Sequence, residues 1–149
     1  METTKIPAEK TAAEIASLLA KAGARKTLQD YDGKGRVVAL SFTMSLNGQE
    51  APFSLPVNAD AVYQLLSKRR KRRHYRAKWE DMDKAQAERV AWRQVLKWVQ
   101  AQVALIETNM VTATEVFLPY LKTPSGSTLY RELESGGFKA LPLLTEENR

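Results

Sequence analysis

The sequence contains no cysteine and only one histidine, His74. The absence of cysteine excludes disulfide bonds, thiolate metal ligands and cysteine nucleophiles. It is typical of proteins from a reducing compartment, so we expect a cytoplasmic location. His74 has no serine or cysteine partner nearby in the sequence, and a catalytic triad is therefore not supported.

Long apolar runs and phosphate-binding loops are also missing. No stretch approaches the length of a membrane span, and the polar residues after Met1 do not resemble a signal peptide, so we expect no membrane contact. The seven glycines fall in turns or at helix ends. The carboxylates lack metal-ligand spacing, so we expect no metal site, no cofactor and no catalytic residue. A metal-dependent nuclease, which needs converging acidic side chains, is the remaining enzymatic alternative.

Length and composition fit one domain. The chain has 149 residues, of which 44% are hydrophobic and 27% are charged, so it can bury a core. We expect a single α+β domain over residues 1–140, followed by a mobile tail at residues 141–149.

A β-hairpin is the clearest local structure that the sequence predicts. Apolar residues alternate along residues 37–46, with one face formed by Val38, Leu40, Phe42, Met44 and Leu46. Asn47-Gly48 is typical of a type I′ turn, which joins this strand to a second strand at residues 49–57. A two-residue turn pairs Leu46 with Gln49, and this register places Phe42 opposite Phe53.

Two prolines predict that the second strand lies at the edge of the sheet. In this register the amides of Ala51, Phe53 and Leu55 point toward the first strand. Pro52 and Pro56 alternate with them, so the missing N–H groups face outward and no hairpin hydrogen bond is lost. A further strand on that side is therefore not expected.

Helices are predicted on both sides of the hairpin. Thr11 and Glu14 form a capping-box pattern at the start of a helix that ends at Gly23, and a strand follows at residues 25–31. Asn58 or Asp60 can cap a second helix, which carries Val62, Leu65 and Leu66 on one face. The longest helix is predicted at residues 84–108, and short helices start at Thr112 and Thr128. The expected fold is α+β, with a short antiparallel sheet packed against helices.

The charge of the chain is concentrated in residues 68–78, which we call the basic segment. Eight of these eleven residues are basic, and removing them from the formal net charge of +6 leaves −2 for the rest of the chain. Cations at the C-terminus of a helix stabilise the negative end of the helix dipole, but one or two cations suffice for that role. Blocks of like charge usually mark interaction segments. The predicted contact residues are Lys68, Arg69, Arg70, Lys71, Arg72, Arg73, Arg76 and Lys78.

Two aromatic residues accompany the basic segment. Tyr75 and Trp79 are candidates for stacking on unpaired bases, as in single-strand-binding proteins. For Trp79 the favoured interpretation is that it anchors the segment on the core, because tryptophan buries a large apolar area. A nuclear localisation signal is a rival interpretation of the same basic string.

The sequence resembles a group of small uncharacterised proteins of bacteriophages and prophages. The resemblance runs from the hairpin to Tyr120, and it is carried by Leu40-Ser41-Phe42, Asn47-Gly48, Phe53-Ser54-Leu55-Pro56-Val57, Val62-Tyr63, Ala87-Glu88-Arg89-Val90-Ala91-Trp92-Arg93 and Val116-Phe117-Leu118-Pro119-Tyr120. It implies the cytosol of a bacterial host, which counts against nuclear localisation. It implies no particular activity.

Two functions follow as expectations. The first is a non-enzymatic phage accessory protein that binds nucleic acid through the basic segment, without sequence specificity, because no residue argues for base readout. The alternative is an interaction protein that inhibits a host protein, such as a defence or nucleic-acid-processing protein, by docking the segment on an acidic surface.

Overall fold

The computed structural model describes residues 4–71 and 80–144, with residues 69–71 and 80–83 described at the level of the backbone. The elements follow the chain as α1 (Ala8–Lys21), β1 (Lys26–Tyr31), β2 (Val37–Leu46), β3 (Gln49–Ser54), α2 (Ala59–Lys71), α3 (Glu80–Glu107), α4 (Ala113–Phe117), a 3₁₀ turn (Leu118–Tyr120) and α5 (Leu129–Ser135). The fold is α+β, as the sequence predicts.

The hairpin has the predicted register. The antiparallel sheet has the order β1-β2-β3, and Leu46 pairs with Gln49 while Phe42 pairs with Phe53. Asn47 and Gly48 have φ angles of 52° and 82°, the two positive values that a type I′ turn requires. Local turn chemistry and the apolar pattern therefore agree on one alignment of these strands.

A β-bulge at Val38 changes the face of one residue. Asp30 pairs with Ala39 and Tyr31 with Val37, so Val38 has no partner on β1. The extra residue interrupts the pleat, and Val37 is buried while Val38 is 47% exposed. The assignment of Val38 to the buried face is therefore wrong.

Strand β3 is shorter than the sequence predicts. The predicted second strand runs to Val57, but β3 ends at Ser54, and only the Leu55 amide continues the ladder with a 3.0 Å bond to the Leu40 carbonyl. The predicted pair of Val38 with Val57 is therefore not formed within this ladder.

β3 lies at the edge of the three-stranded sheet, as predicted, and a later segment covers part of it. Leu121 forms an isolated bridge with Phe53, and the Lys122 amide donates a 2.8 Å bond to the Pro52 carbonyl. This carbonyl points away from β2, the direction that the proline spacing indicates.

Aromatic rings fill the space between the sheet and the helices. The rings of Phe42 and Phe53 stack with centroids 5.2 Å apart, and Phe117 contacts Phe42 edge-on at 5.1 Å. Trp92 on α3 is 1% exposed. This main core comprises Ala8, Ala12, Ile15, Leu19, Val37, Leu40, Phe42, Met44, Ala51, Phe53, Leu55, Trp92, Val95, Leu96, Val99, Val103 and Phe117.

Helix α1 begins earlier than the predicted capping box. It starts at Ala8 after Pro7, and Thr11 is fully buried inside the helix rather than capping it. The Thr11 hydroxyl lies 3.4 Å from Arg93 Nη1, and the same nitrogen donates to Glu14 at 3.2 Å. Thr11 and Glu14 therefore join α1 to α3, a tertiary role that the local pattern does not reveal.

A second, smaller cluster joins α2 to α3. We call it the helix cluster, and it comprises Val62, Leu66, Ala87, Val90 and Ala91. Leu65 is predicted to share this face, but it is 48% exposed. One residue advances the helix by about 100°, so Leu65 points well away from the face on which Leu66 packs.

Local signals mark several helix ends, and the predicted starts at Asn58, Thr112 and Thr128 are confirmed. The Asn58 side chain accepts a 3.0 Å hydrogen bond from the Ala61 amide at the start of α2. Thr112 and Glu115 form a capping box, and Thr128 caps α5. Asn109 has a φ of 61° just after α3, which is typical of a helix stop.

Candidate nucleic-acid interface

The basic segment begins on the last residues of α2. Lys68 is exposed, and Arg69, Arg70 and Lys71 continue the helix to its end. The other predicted contact residues, Arg72, Arg73, Arg76 and Lys78, lie outside the described residues. So do the stacking candidates Tyr75 and Trp79.

Packing against α3 holds α2 in place. Val62 is 9% exposed and Leu66 is 6% exposed, and both pack on the alanines and valine that α3 contributes to the helix cluster. Lys84 Nζ lies 5.7 Å from the centroid of the Tyr63 ring, within the range of a cation–π contact. The start of the basic segment is therefore tied to the helix that also forms the main core.

Acidic residues follow the basic segment at the start of α3. Glu80, Asp81 and Asp83 lie in the first turns of this helix. Negative charge is favourable there, because the N-terminus is the positive end of the helix dipole. The sequence pattern predicts that the helix begins at Lys84 with Asp83 as its cap. It begins at Glu80, so the acids belong to the helix itself.

A groove on another part of the surface adds a second candidate site. It has a volume of about 1040 Å³ and lies between the chain after β3 and the segment from Pro119 to Glu134. Its lining residues are Ser54, Leu55, Pro56, Val57, Asn58, Pro119, Tyr120, Lys122, Ser125, Gly126, Ser127, Thr128, Tyr130, Arg131 and Glu134. The two segments meet through the Phe53–Leu121 bridge.

Tyrosines and cations share this groove. The Tyr120 ring packs edge-on against Trp98, with centroids 5.5 Å apart, and Tyr130 is 48% exposed. A hydrogen bond to Glu134 raises the pKa of the Tyr130 hydroxyl. Lys122 and Arg131 supply positive charge. Sequence reasoning missed this groove because its two halves are about 65 residues apart and carry no shared motif.

The turn around Ser125, beside the groove, is held by side-chain hydrogen bonds. Ser125 Oγ donates to Glu132 Oε1 at 2.7 Å and lies 3.0 Å from Thr123 Oγ1. Hydrogen bonds from Thr123 and Ser125 keep the pKa of the Glu132 carboxyl below its ordinary value. These hydrogen bonds stabilise the ionised form of the Glu132 side chain.

Residues 4–71 and 80–144 contain neither a metal-ligating cluster nor a membrane-spanning helix. Within these ranges no group of three or more histidine or acidic side chains could hold a metal ion. No helix in the same ranges is both long enough and apolar enough to cross a membrane.

Comparisons with protein-family models, curated proteins and solved structures gave no match to this chain. Function is therefore inferred below from the residues and their placement.

Proposed function

We propose that the protein is a non-enzymatic nucleic-acid-binding protein whose basic segment contacts the phosphate backbone. One observation carries the proposal: eight cations fall within eleven residues, while the rest of the chain has a formal charge of −2. The positive charge is thus concentrated at one place rather than spread over the surface. A concentrated site can neutralise several neighbouring phosphates and release their counterions.

Helix stabilisation alone is a weak explanation for this concentration. Six consecutive basic residues, 68–73, repel one another, and a polyanion would remove that repulsion. The electrostatic free energy gained on binding is largest for a partner with regularly spaced negative charges. A nucleic-acid backbone has such charges along its whole length.

The packing of α2 on α3 supports a nucleic-acid contact at a defined position on the protein. Lys68, Arg69, Arg70 and Lys71 lie on a helix that packs on α3 through Val62 and Leu66, so the first part of the segment leaves the fold in a fixed direction. Binding to phosphates carries no sequence information, so we expect similar affinity for different sequences. The resemblance to phage proteins leads us to propose a bacterial cytosol as the setting.

A host protein with an acidic surface is the alternative partner. An acidic groove offers the basic segment the same sign of charge as phosphate does, and small phage proteins that inhibit host proteins fit the proposed setting. The two partners differ in one testable respect. Only the first requires binding to free oligonucleotides.

The test is a titration of labelled single- and double-stranded oligonucleotides across a salt series. The variant replaces Arg69, Arg70, Arg72 and Arg73 with alanine. We expect weaker binding to all sequences and a salt slope that is flatter by about one unit for each lost phosphate contact. Thermal unfolding should be close to that of the wild type, because the helix cluster is unchanged.

A matched control removes the same amount of charge elsewhere. Lys10, Lys34, Lys97 and Lys139 are exposed and lie outside the basic segment. Replacing these four with alanine should leave most of the affinity and the salt slope intact. Equal losses in the two variants would mean that net charge, and not the segment, drives binding. Absence of binding even at low salt would exclude the nucleic-acid proposal. Loss of a protein partner in the arginine variant would then support the host-protein alternative.

A further inference from the structure

Strand β1 forms the second edge of the sheet, and its side chains are largely exposed. Five of its six residues are exposed, with Gln29 half-buried between them. Within residues 4–71 and 80–144 no strand or bridge pairs with its outer side. This differs from β3, where Leu121 and Lys122 cover part of the edge.

The direction of the β1 backbone groups follows from the neighbouring strands. The Leu40 carbonyl accepts from Leu55 on β3, so in β2 the alternate residues Ser41 and Thr43 point their backbone groups toward β1. The Thr43 carbonyl indeed accepts a 2.8 Å bond from the Arg25 amide. Ser41 and Thr43 pair with Leu28 and Lys26 of β1.

The open edge therefore presents alternate residues of β1. Lys26, Leu28 and Asp30 direct their backbone groups to β2, and Thr27 and Gln29 direct theirs away from the sheet. No backbone hydrogen bond is made by Thr27 or Gln29 on this outer side within the described part of the chain. These groups can accept another strand.

Side chains beside the edge are arranged symmetrically about Leu28. Lys26 and Asp30 lie two residues before and after it, on the same face of the sheet. Leu28 is 61% exposed, and Val38 on the adjacent strand is 47% exposed. A positive and a negative side chain therefore flank an exposed leucine at equal distances.

We propose that β1 pairs with β1 of a second copy of this chain, antiparallel and centred on Leu28. Thr27 then faces Gln29 of the second copy, and each of these two symmetric pairs exchanges two backbone hydrogen bonds. Leu28 faces Leu28 of the second copy. Lys26 faces Asp30 of the second copy, and the symmetry repeats this ion pair. The result is a six-stranded sheet.

The backbone geometry and the charges together select this register. A shift by one residue opposes an outward-facing residue with an inward-facing one, so the hydrogen bonds fail. The two registers centred on Thr27 or Gln29 keep the hydrogen bonds but place Leu28 opposite Lys26 or Asp30. Only the register centred on Leu28 pairs apolar with apolar and positive with negative.

Charged residues on an edge strand usually oppose such pairing. Here the two charges have opposite signs at symmetric positions, so they attract each other in the proposed dimer. Lys26 lies 3.4 Å from Glu50, but its side chain is 74% exposed, and this surface contact holds it only weakly. The dimer does not depend on the nucleic-acid proposal.

The experiment measures the dimer dissociation constant by sedimentation equilibrium for the full chain and for two charge variants. K26E places a carboxylate opposite Asp30 of the second copy, and D30K places an ammonium group opposite Lys26. We expect each variant alone to dimerise about tenfold more weakly than the wild type. An equimolar mixture of the two variants should recover dimerisation. In the mixed dimer the new carboxylate of K26E faces the new ammonium group of D30K. The unchanged Asp30 of the K26E chain faces the unchanged Lys26 of the D30K chain.

Matched charge changes away from β1 serve as controls. K10E and E107K alter exposed residues on α1 and α3 and should leave the dissociation constant unchanged. A wild-type chain that stays monomeric at millimolar concentration would overturn the proposal. So would a dimer that is insensitive to K26E and D30K, or a mixture that fails to recover. Oligonucleotide binding measured on the same samples reports separately on the basic segment.

Discussion

The main core and the helix cluster are built from different side chains. Phe42, Phe53, Phe117 and Trp92 dominate the main core, where each is at most 1% exposed. The helix cluster has no aromatic residue among its buried members and relies on two aliphatic residues of α2 against Ala87, Val90 and Ala91. Aromatic side chains bury much more area than alanine and valine, so the main core contributes most of the stabilisation.

This difference bears on the basic segment, which begins on the element with the smaller cluster. Helix α2 packs chiefly on α3, whose other face belongs to the main core. We therefore expect α2 to open locally at a lower free energy than the sheet and α3. Under the proposed function, this attachment would let the basic segment adjust to its partner without unfolding the protein.

The largest expected effect comes from removing a ring of the main core. Phe42 is 1% exposed and contacts both Phe53 and Phe117, so Phe42→Ala should lower the free energy of unfolding by roughly 3–5 kcal/mol. Urea denaturation measures this loss. Tyr31→Ala is the control, because Tyr31 is 58% exposed and its loss should cost less than about 0.5 kcal/mol. Similar losses in both variants would contradict the description of the main core.

A smaller and more local effect is expected in the helix cluster. Leu66→Ala should cost about 2–3 kcal/mol, the lower part of the range for buried leucine, because only a few small residues surround it. Hydrogen exchange should show the loss mainly in the amides of α2. Leu65→Ala, one residue away and largely exposed, is the matched control. Equal loss of protection in β2 would show that the two regions unfold as one unit.

The smallest effect is a pH dependence at the β1–β2 turn. Asp32 accepts hydrogen bonds from the Lys34 and Arg36 amides and from Arg36 Nε, at 2.8–3.0 Å. The Arg36 amide, followed by the Lys34 amide, lowers the pKa of the Asp32 carboxyl. A lowered folded-state pKa stabilises the fold above the ordinary value of about 3.9, and this contribution disappears as pH falls through the folded-state pKa.

The Asp32→Asn variant isolates that contribution, since asparagine keeps an acceptor oxygen but does not titrate. Urea denaturation at neutral pH should show the variant slightly less stable than the wild type. The difference should shrink as the pH is lowered below about 4. A difference that stays constant with pH would mean that the charge of Asp32 adds nothing to the turn.

Local signals in the sequence predicted much of the fold. Asn47-Gly48 and the alternating residues before it indicated the hairpin register, because turn geometry and burial both act over a few residues. Asn58 and Thr112 marked helix starts for the same reason. The bulge at Val38 and the role of Thr11 depend on contacts with β1 and with Arg93, which no local pattern reports.

The two candidate sites show the same contrast between local signals and contacts of distant segments. The basic segment was visible because its charge is continuous in the sequence, although only residues 68–71 of it fall within the described part of the chain. The groove at Tyr120 and Tyr130 exists because Leu121 meets Phe53 across the edge of the sheet. A contact between segments so far apart in the sequence depends on the complete fold, so the sequence of neither segment alone predicts it.

The bridge between Leu121 and Phe53 also limits how far the protein can assemble. Pro52 lacks the outward amide, and its carbonyl already accepts a hydrogen bond from Lys122, so the middle of the β3 edge cannot pair with an incoming chain. The open edge is on β1, and the proposed pairing consumes it in both copies at once. In the proposed dimer both β1 edges are used, so pairing through β1 ends at two copies.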